Sequence, residues 1–200
     1  MHWLPEPPPG TAVALGFDGS DTSDWTGIRA ETMDGGYSFT PRWGVGGTLW
    51  DPAAHGGRVP RAEVSAAVDD LFERFTVVKM LCDPPLWMTE IESWQVKHGD
   101  AVLPWETYRP VQMHAALERF RTDLIEGRMT HDGCPIASRH IGNAKISQRK
   151  DSRYVLTKPD HRGVQKIDAA MMTVLAHEAA AQARAAGWSD EPEEHFTFGW

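Results

Sequence analysis

The chain has 200 residues, of which 41% are hydrophobic and 24% charged. This composition is typical of a folded globular protein with one large domain or two very small ones. It excludes a membrane-spanning chain, because no run approaches 18 apolar residues. The N-terminus has neither the basic start nor the apolar core of a signal peptide. The formal net charge of −8 argues against a general nucleic-acid binder.

The cysteine content bears on the compartment and on metal chemistry. Cys82 and Cys134 are the two cysteines, far apart and outside any CxxC pair. This spacing predicts neither a disulfide framework nor a zinc site. It favours a reducing, cytoplasmic setting for a protein that is not secreted.

The first part of the chain has the pattern of a small antiparallel sheet. Prolines dominate residues 1–11, which predicts an extended linker. Three strands are then predicted over 12–18, 26–33 and 37–43, and together they form an antiparallel meander. The Gly- and Pro-rich stretch 44–59 is predicted to be a loop.

The rest of the chain alternates helical and extended patterns. Helices are predicted over 60–75, 87–98, 110–127 and 167–186. Further strands are predicted over 76–83, 101–107 and 153–158. Such an order predicts an α/β fold in which helices cover a mixed sheet. Residues 188–200 form an acidic tail with interspersed aromatic residues.

One segment departs from the acidic character of the chain. Residues 139–166 contain eight Lys and Arg against two Asp. A basic segment in an acidic protein predicts a surface directed at a polyanion, although a solvated charged face is the alternative. The candidate DNA contacts in it are Arg149, Lys150, Lys158, Arg162 and Lys166, the last of which stands just before an acidic helix start.

Three aspartates occupy comparable places on different elements. Asp18 and Asp83 each end an apolar strand, and Asp168 opens the final helix. For each there is an ordinary explanation: a turn, a strand terminator, or an acidic residue stabilised by the helix dipole. If the two strands are neighbours, however, the three carboxylates converge outside the strand ends. Such oxygen ligands predict a site for two Mg²⁺ or Mn²⁺ ions.

Four stretches, in this order, resemble a known family: GFDGS, LCDPP, GRMTHDGCPIASRHIGNAK and VQKIDAAMMTVLA. They are similar to the nuclease domain of the large terminase subunit of tailed bacteriophages, over residues 12–187. The resemblance implies a ribonuclease H-like fold, with helices on both faces of a mixed sheet of five or more strands. It implies a metal-dependent endonuclease with Asp18, Asp83 and Asp168 as catalytic metal ligands. Asp24 matches as a further ligand, with a solvated turn residue as the alternative.

The resemblance also implies partners and a location. A nuclease of this kind cuts concatemeric double-stranded viral DNA during packaging. Its partners are a packaging ATPase, the small terminase subunit and the portal. It works in the host cytoplasm, transiently at the procapsid portal, and not at a membrane. No Walker-type GxxxxGK[ST] motif occurs here, so we expect either an excised domain or a separately encoded nuclease.

Three alternatives stay open at this level. A ribonuclease H-like resolvase or ribonuclease would keep the fold and the metals. An actin-like or sugar-kinase-like nucleotide binder would also place DGS after a strand, but it needs a second Gly-rich loop and an adenosine pocket that the sequence does not show. A non-enzymatic DNA clamp would use the same carboxylates structurally.

Overall fold

The computed structural model describes residues 4–149, 151–159 and 164–189. Its centre is a seven-stranded mixed sheet, in which six strands follow the order β6-β5-β1-β2-β3-β7 and β4 pairs with β2. These strands are β1 (Ala12–Asp18), β2 (Thr26–Thr32), β3 (Tyr37–Phe39), β4 (Leu49–Trp50), β5 (Thr76–Cys82), β6 (Val102–Pro104) and β7 (Thr130–His131). The first three strands are antiparallel neighbours, while β5 and β6 run parallel to β1. The predicted meander and mixed sheet are therefore confirmed.

Five helices surround the sheet in the described part of the chain: α1 (Arg61–Arg74), α2 (Met88–His98), α3 (Pro110–Ile125), α4 (Pro135–Asn143) and α5 (Asp168–Ala185). Alternate residues of β1 and β5 enter different hydrophobic clusters. Leu15 and Met80 pack with α1 and α2, whereas Ala14 and Leu81 pack with α3 and α5. Helices on both faces of the sheet are thus confirmed. None of the described helices is long and apolar enough to cross a membrane.

The shortest elements differ most from the sequence-based expectation. The predicted loop 44–59 contains β4 and a 3-10 turn at Pro52–His55. Around and within the basic segment lie α4 and a separate antiparallel hairpin of β8 (Lys145–Gln148) and β9 (Tyr154–Thr157). The strand predicted over 153–158 is β9 and is confirmed. The elements that were not predicted, β4, α4 and β8, have two to nine residues, which is too short for hydrophobic periodicity to reveal.

The N-terminal segment has neither helix nor strand in its described part, residues 4–11. It is nevertheless attached to the body of the domain. The Glu6 carboxylate forms an ion pair with Arg74 and accepts a hydrogen bond from the Arg42 amide at 2.7 Å. Its role as a linker stays a prediction, as do the domain boundaries, and residues 190–200 of the tail lie outside the described residues.

A buried ion pair connects the sheet to α4. Arg29 of β2 and Asp132, just before α4, are 1% exposed each, with Nη1 and Oδ2 3.1 Å apart. The guanidinium also donates to the hydroxyls of Ser38, Thr40 and Thr173, so the buried charge has many partners. A buried charge without such partners would be costly. This network fixes α4 relative to β2, β3 and α5.

Helix α5 lies unusually close to β1. The helix is rich in alanine, and thirteen of its residues are buried. At the point of closest approach stands Gly16: a Cβ there would lie 2.2 Å from the Met172 carbonyl oxygen and 2.4 Å from the Ala176 nitrogen. Both atoms belong to the helix backbone, which cannot rotate away. The absent side chain at Gly16 therefore sets the distance between sheet and helix.

We expect Gly16→Ala to destabilise the domain by at least about 2 kcal/mol, because overpacking costs typically 1–3 kcal/mol and here the clash is with backbone. Urea unfolding followed by circular dichroism measures this loss. Gly46→Ala is the matched control, since no atom lies within 4 Å of a Cβ at that position. Equal stability of both variants would contradict close packing at Gly16.

Candidate metal centre

Two of the predicted aspartates meet at one end of the central sheet. Strands β1 and β5 are parallel neighbours, with Phe17 opposite Cys82. Asp18 is the last residue of β1, and Asp83 follows β5, its amide donating to the Phe17 carbonyl at 3.0 Å. The two carboxylates therefore lie side by side because the strands carrying them end together.

The third aspartate lies far along the chain from the other two, at the start of the last helix. Asp168 is the first residue of α5 and is 5% exposed. Its Oδ2 accepts a hydrogen bond from the Trp25 amide at 3.1 Å, in the loop that follows β1. The close contact between α5 and β1 places this helix start beside Asp18. The structure thus brings together the three residues that the sequence singled out.

Burial and neighbouring charges both act on these carboxylates. Burial raises the pKa of the Asp18 carboxyl well above its usual range, and the negative charges of Asp83, Asp168 and Asp24 raise it further. Burial also raises the pKa values of Asp83 and Asp168. Carboxylates that resist ionisation in this way form a site with excess negative charge, which a bound cation would compensate.

Two of the carboxylates are already oriented by the protein. Asp83 accepts hydrogen bonds from the Thr107 amide at 3.0 Å and the Thr107 hydroxyl at 2.9 Å. Asp168 accepts from Trp25, as described above. Each carboxylate oxygen has a second lone pair, so these bonds leave acceptor capacity for a ligand.

The donor set has the chemistry that a hard divalent cation prefers, but the described side chains do not form a coordination shell. Within residues 4–149, 151–159 and 164–189, no three His, Cys, Asp or Glu side chains are arranged so that they could hold one ion. Carboxylates from three separate elements, with excess negative charge, are nevertheless the ligand type that Mg²⁺ and Mn²⁺ prefer. The assignment of Asp18, Asp83 and Asp168 as metal ligands therefore stays a prediction.

Asp24 has different partners from those of the other candidate ligands. Its Oδ1 lies 2.5 Å from Lys158 Nζ and 2.8 Å from Lys166 Nζ. These two lysines lower the pKa of Asp24 against the opposing effect of burial. Asp24 is thus a carboxylate with two counterions, and its role as a metal ligand stays a prediction.

The basic segment reaches the carboxylates through the same two lysines. Lys158 follows β9 and Lys166 precedes α5, and both lower the pKa of Asp168 through their positive charge. Arg149 is exposed at the turn of the β8–β9 hairpin, where its amide donates to the Arg153 carbonyl. Lys150 and Arg162 lie outside the described residues. Three of the five predicted DNA contacts can therefore be located, two of them beside the carboxylates.

Two residues of α4 hold the backbone around Asp168. His140 Nδ1 accepts a hydrogen bond from the Ala169 amide at 3.1 Å, and Asn143 donates to the Lys166 carbonyl at 2.9 Å. Burial lowers the pKa of His140 to about 4, with help from the charges of Arg139 and Lys166. The imidazole is therefore neutral near pH 7 and able to accept this bond. The motif HIGN contains both residues, but no local pattern shows what they contact.

We expect Asp18→Asn to raise the melting temperature in metal-free buffer at pH 7. The pKa of Asp18 is higher in the folded than in the unfolded chain, so ionisation destabilises the fold as pH rises through the interval between the two values. A shift of at least about 2 °C is expected, since 1 kcal/mol corresponds to about 2–4 °C in a domain of this size. It should vanish below about pH 3.9, the ordinary value for an unfolded chain.

Differential scanning calorimetry in EDTA measures this shift. Asp34→Asn is the control, because Asp34 is an exposed turn residue. An unchanged or lower melting temperature for Asp18→Asn alone would show that the carboxylate is not electrostatically strained.

Comparison with curated proteins finds phage relatives. The chain is 32% identical to the Gene 13 protein of Mycobacterium phage D29 and 30% identical to that of Mycobacterium phage L5. Each alignment covers 84% of this chain but 29% of the relative, so the chain spans less than a third of their length. No family model matches the sequence.

Comparison with solved structures identifies the fold. The large terminase nuclease of thermophilic phage G20c with bound magnesium has a TM-score of 0.61 at 12% identity, covering 88% of this chain and 84% of that one. The HK97 bacteriophage large terminase has a TM-score of 0.63 at 13% identity, covering 89% of this chain and 41% of that one. The nuclease domain of Thermus phage P74-26 has a TM-score of 0.61. The chain therefore has the ribonuclease H-like fold of the large terminase nucleases.

Proposed function

We propose that the chain is a divalent-metal-dependent DNA endonuclease, in which Asp18, Asp83 and Asp168 hold two Mg²⁺ or Mn²⁺ ions. The convergence of Asp83 and Asp168 on Asp18 at one end of the sheet, where both raise the pKa of Asp18, carries this proposal. Support comes from the fold and from two neighbours, the G20c terminase nucleases solved with bound magnesium and with bound cobalt. An ion would neutralise the charge that raises the pKa of Asp18.

The chemistry divides between ions and side chains. A pair of divalent cations would supply an activated water and stabilise the leaving oxygen of a phosphodiester. The protein contributes ligand orientation through the Thr107 hydrogen bonds to Asp83 and the Trp25 hydrogen bond to Asp168. Lys158 and Lys166 contribute positive charge beside the site, where a phosphate of the substrate would lie.

The inferred substrate and partners are those of a large terminase nuclease. We infer that the substrate is concatemeric double-stranded viral DNA, cut during genome packaging. The relatives are phage proteins of which the alignment covers 29%, and one neighbour is a large terminase. The packaging ATPase, as domain or subunit, would deliver the DNA, with the small terminase subunit and the portal as further partners. Its place of action is then the host cytoplasm, at the procapsid portal.

Replacing Asp83 or Asp168 by Ala is expected to reduce Mn²⁺- or Mg²⁺-dependent plasmid cleavage more than about a hundredfold, beyond the 10–100-fold effect typical of residues that only orient a ligand. Agarose gels with and without EDTA measure cleavage, and circular dichroism confirms folding. Asp21→Ala is the control in the same loop, since Asp21 instead forms ion pairs with Arg58 and Arg61.

Two outcomes would contradict the proposal: cleavage that persists in EDTA, or a folded Asp168→Ala variant as active as Asp21→Ala. Branched DNA and single-stranded RNA offered in parallel test the resolvase and ribonuclease alternatives. Cleavage of either in preference to duplex DNA would replace the proposed substrate.

Arg149→Glu is expected to weaken binding to a duplex and to reduce the slope of log affinity against log salt by about 1, as loss of one phosphate contact does. Fluorescence anisotropy with catalytically inactive protein, between about 50 and 200 mM NaCl, measures both quantities. Lys97→Glu on α2 is the matched control, because it changes the net charge equally away from the site. Equal losses of affinity in both variants would show that the effect comes from net charge and not from a phosphate contact made by Arg149.

A further inference from the structure

Helix α5 begins without a side-chain cap of its own. Ile167 occupies the N-cap position and provides no oxygen for the first-turn amides, which lack partners within the helix. Another helix provides the missing acceptor: His140 Nδ1 of α4 binds the Ala169 amide at 3.1 Å. Asn143, one turn later on α4, binds the Lys166 carbonyl at 2.9 Å. Helix α4 therefore holds the main chain on both sides of Asp168.

Helix α4 is itself held in place by buried hydrogen bonds. Asp132 accepts from the Cys134 amide at 3.0 Å, which fixes the start of α4, and from the Thr40 amide at 2.7 Å. Its partner Arg29 reaches the Thr173 hydroxyl at 3.3 Å, one turn into α5. A closed path of buried hydrogen bonds thus connects the sheet, α4 and α5. Such a path leaves the first turn of α5 little freedom to rotate.

The same imidazole also contacts the loop that binds the Asp168 carboxylate. The ring of Trp25 packs edge-on against His140, with centroids 5.3 Å apart and planes at 83°. The amide of that same residue donates to Asp168 Oδ2. His140 therefore contacts both groups that position the Asp168 carboxylate: the backbone of α5 at Ala169, and Trp25, whose amide binds the carboxylate.

We propose that His140 is a positioning residue that sets Asp168 in place for metal binding, and that Asn143 assists it from the carbonyl side. The inference rests on the proposed function, in which Asp168 is a metal ligand. His140 is 3% exposed and its Nδ1 is already in use, so it acts through Asp168 and does not contact the substrate. Residues that orient a metal ligand typically contribute 10–100-fold to metal affinity or activity.

The test compares His140→Ala, which removes the acceptor, with His140→Asn, whose amide oxygen occupies a position close to that of Nδ1. Ser138→Ala is the control, an exposed residue of the same helix. Three quantities are measured for each variant: the Mn²⁺ concentration for half-maximal plasmid cleavage, Mn²⁺ affinity by calorimetry, and hydrogen exchange at the Ala169 amide.

For His140→Ala we expect an increase of about tenfold or more in the Mn²⁺ requirement, in line with other residues that orient metal ligands, and faster exchange at Ala169. His140→Asn should restore both quantities at least partly, and Ser138→Ala should resemble the wild type. Asn143→Leu provides a second variant if His140→Ala does not fold, with a smaller increase in the Mn²⁺ requirement expected.

The inference is overturned if His140→Ala keeps the wild-type Mn²⁺ requirement and Ala169 protection. It is also overturned if Ala and Asn variants are equally impaired, because His140 would then act only by filling space. A wild type that binds Mn²⁺ but cuts no nucleic acid refutes the proposed function alone, since calorimetry and exchange still test the positioning role. A wild type that binds no Mn²⁺ refutes both.

Discussion

The contact between β1 and α5 is the constraint on which the candidate site depends. A helix can approach a strand this closely only where side chains are small, and Gly16 faces the α5 backbone at that point. Asp168, the first residue of α5, lies one turn before Met172. The position of the helix along β1 therefore decides where Asp168 stands relative to Asp18. The alanine-rich sequence of α5 serves the same purpose, since thirteen buried positions with larger side chains would push the helix away from the sheet.

This arrangement stabilises a site that is electrostatically unfavourable in itself. The pKa of Asp18 is raised by burial and by three neighbouring carboxylates, so packing energy elsewhere must hold these charges together. The buried Arg29–Asp132 network and the hydrogen bonds from Thr107 and Trp25 are the visible supports. Functional sites are commonly such places, where local stability is given up for pre-organisation. A bound cation would attract these carboxylates and so offset the repulsion between them.

The lysines beside Asp24 connect the charged surface to the carboxylates. Lys158 and Lys166 come from opposite ends of a segment whose middle lies partly outside the described residues, yet both contact one carboxylate oxygen. A phosphate group entering this edge would compete with Asp24 for the same ammonium groups. The basic segment therefore provides counterions for an acidic residue beside the site, because Lys158 and Lys166 both pair with Asp24.

Local pattern was sufficient for the larger elements and for singling out the three aspartates. Two mainly apolar strands of seven residues, one ending in Asp18 and the other just before Asp83, follow directly from side-chain periodicity, as does an amphipathic or alanine-rich stretch for each long helix. Tertiary structure alone decided the rest. The pairs His140–Ala169, Lys158–Asp24 and Arg29–Asp132 join residues 29 to 134 positions apart. No periodicity encodes such contacts, because they depend on strand order and on the distance between β1 and α5, which are set by packing of the whole domain.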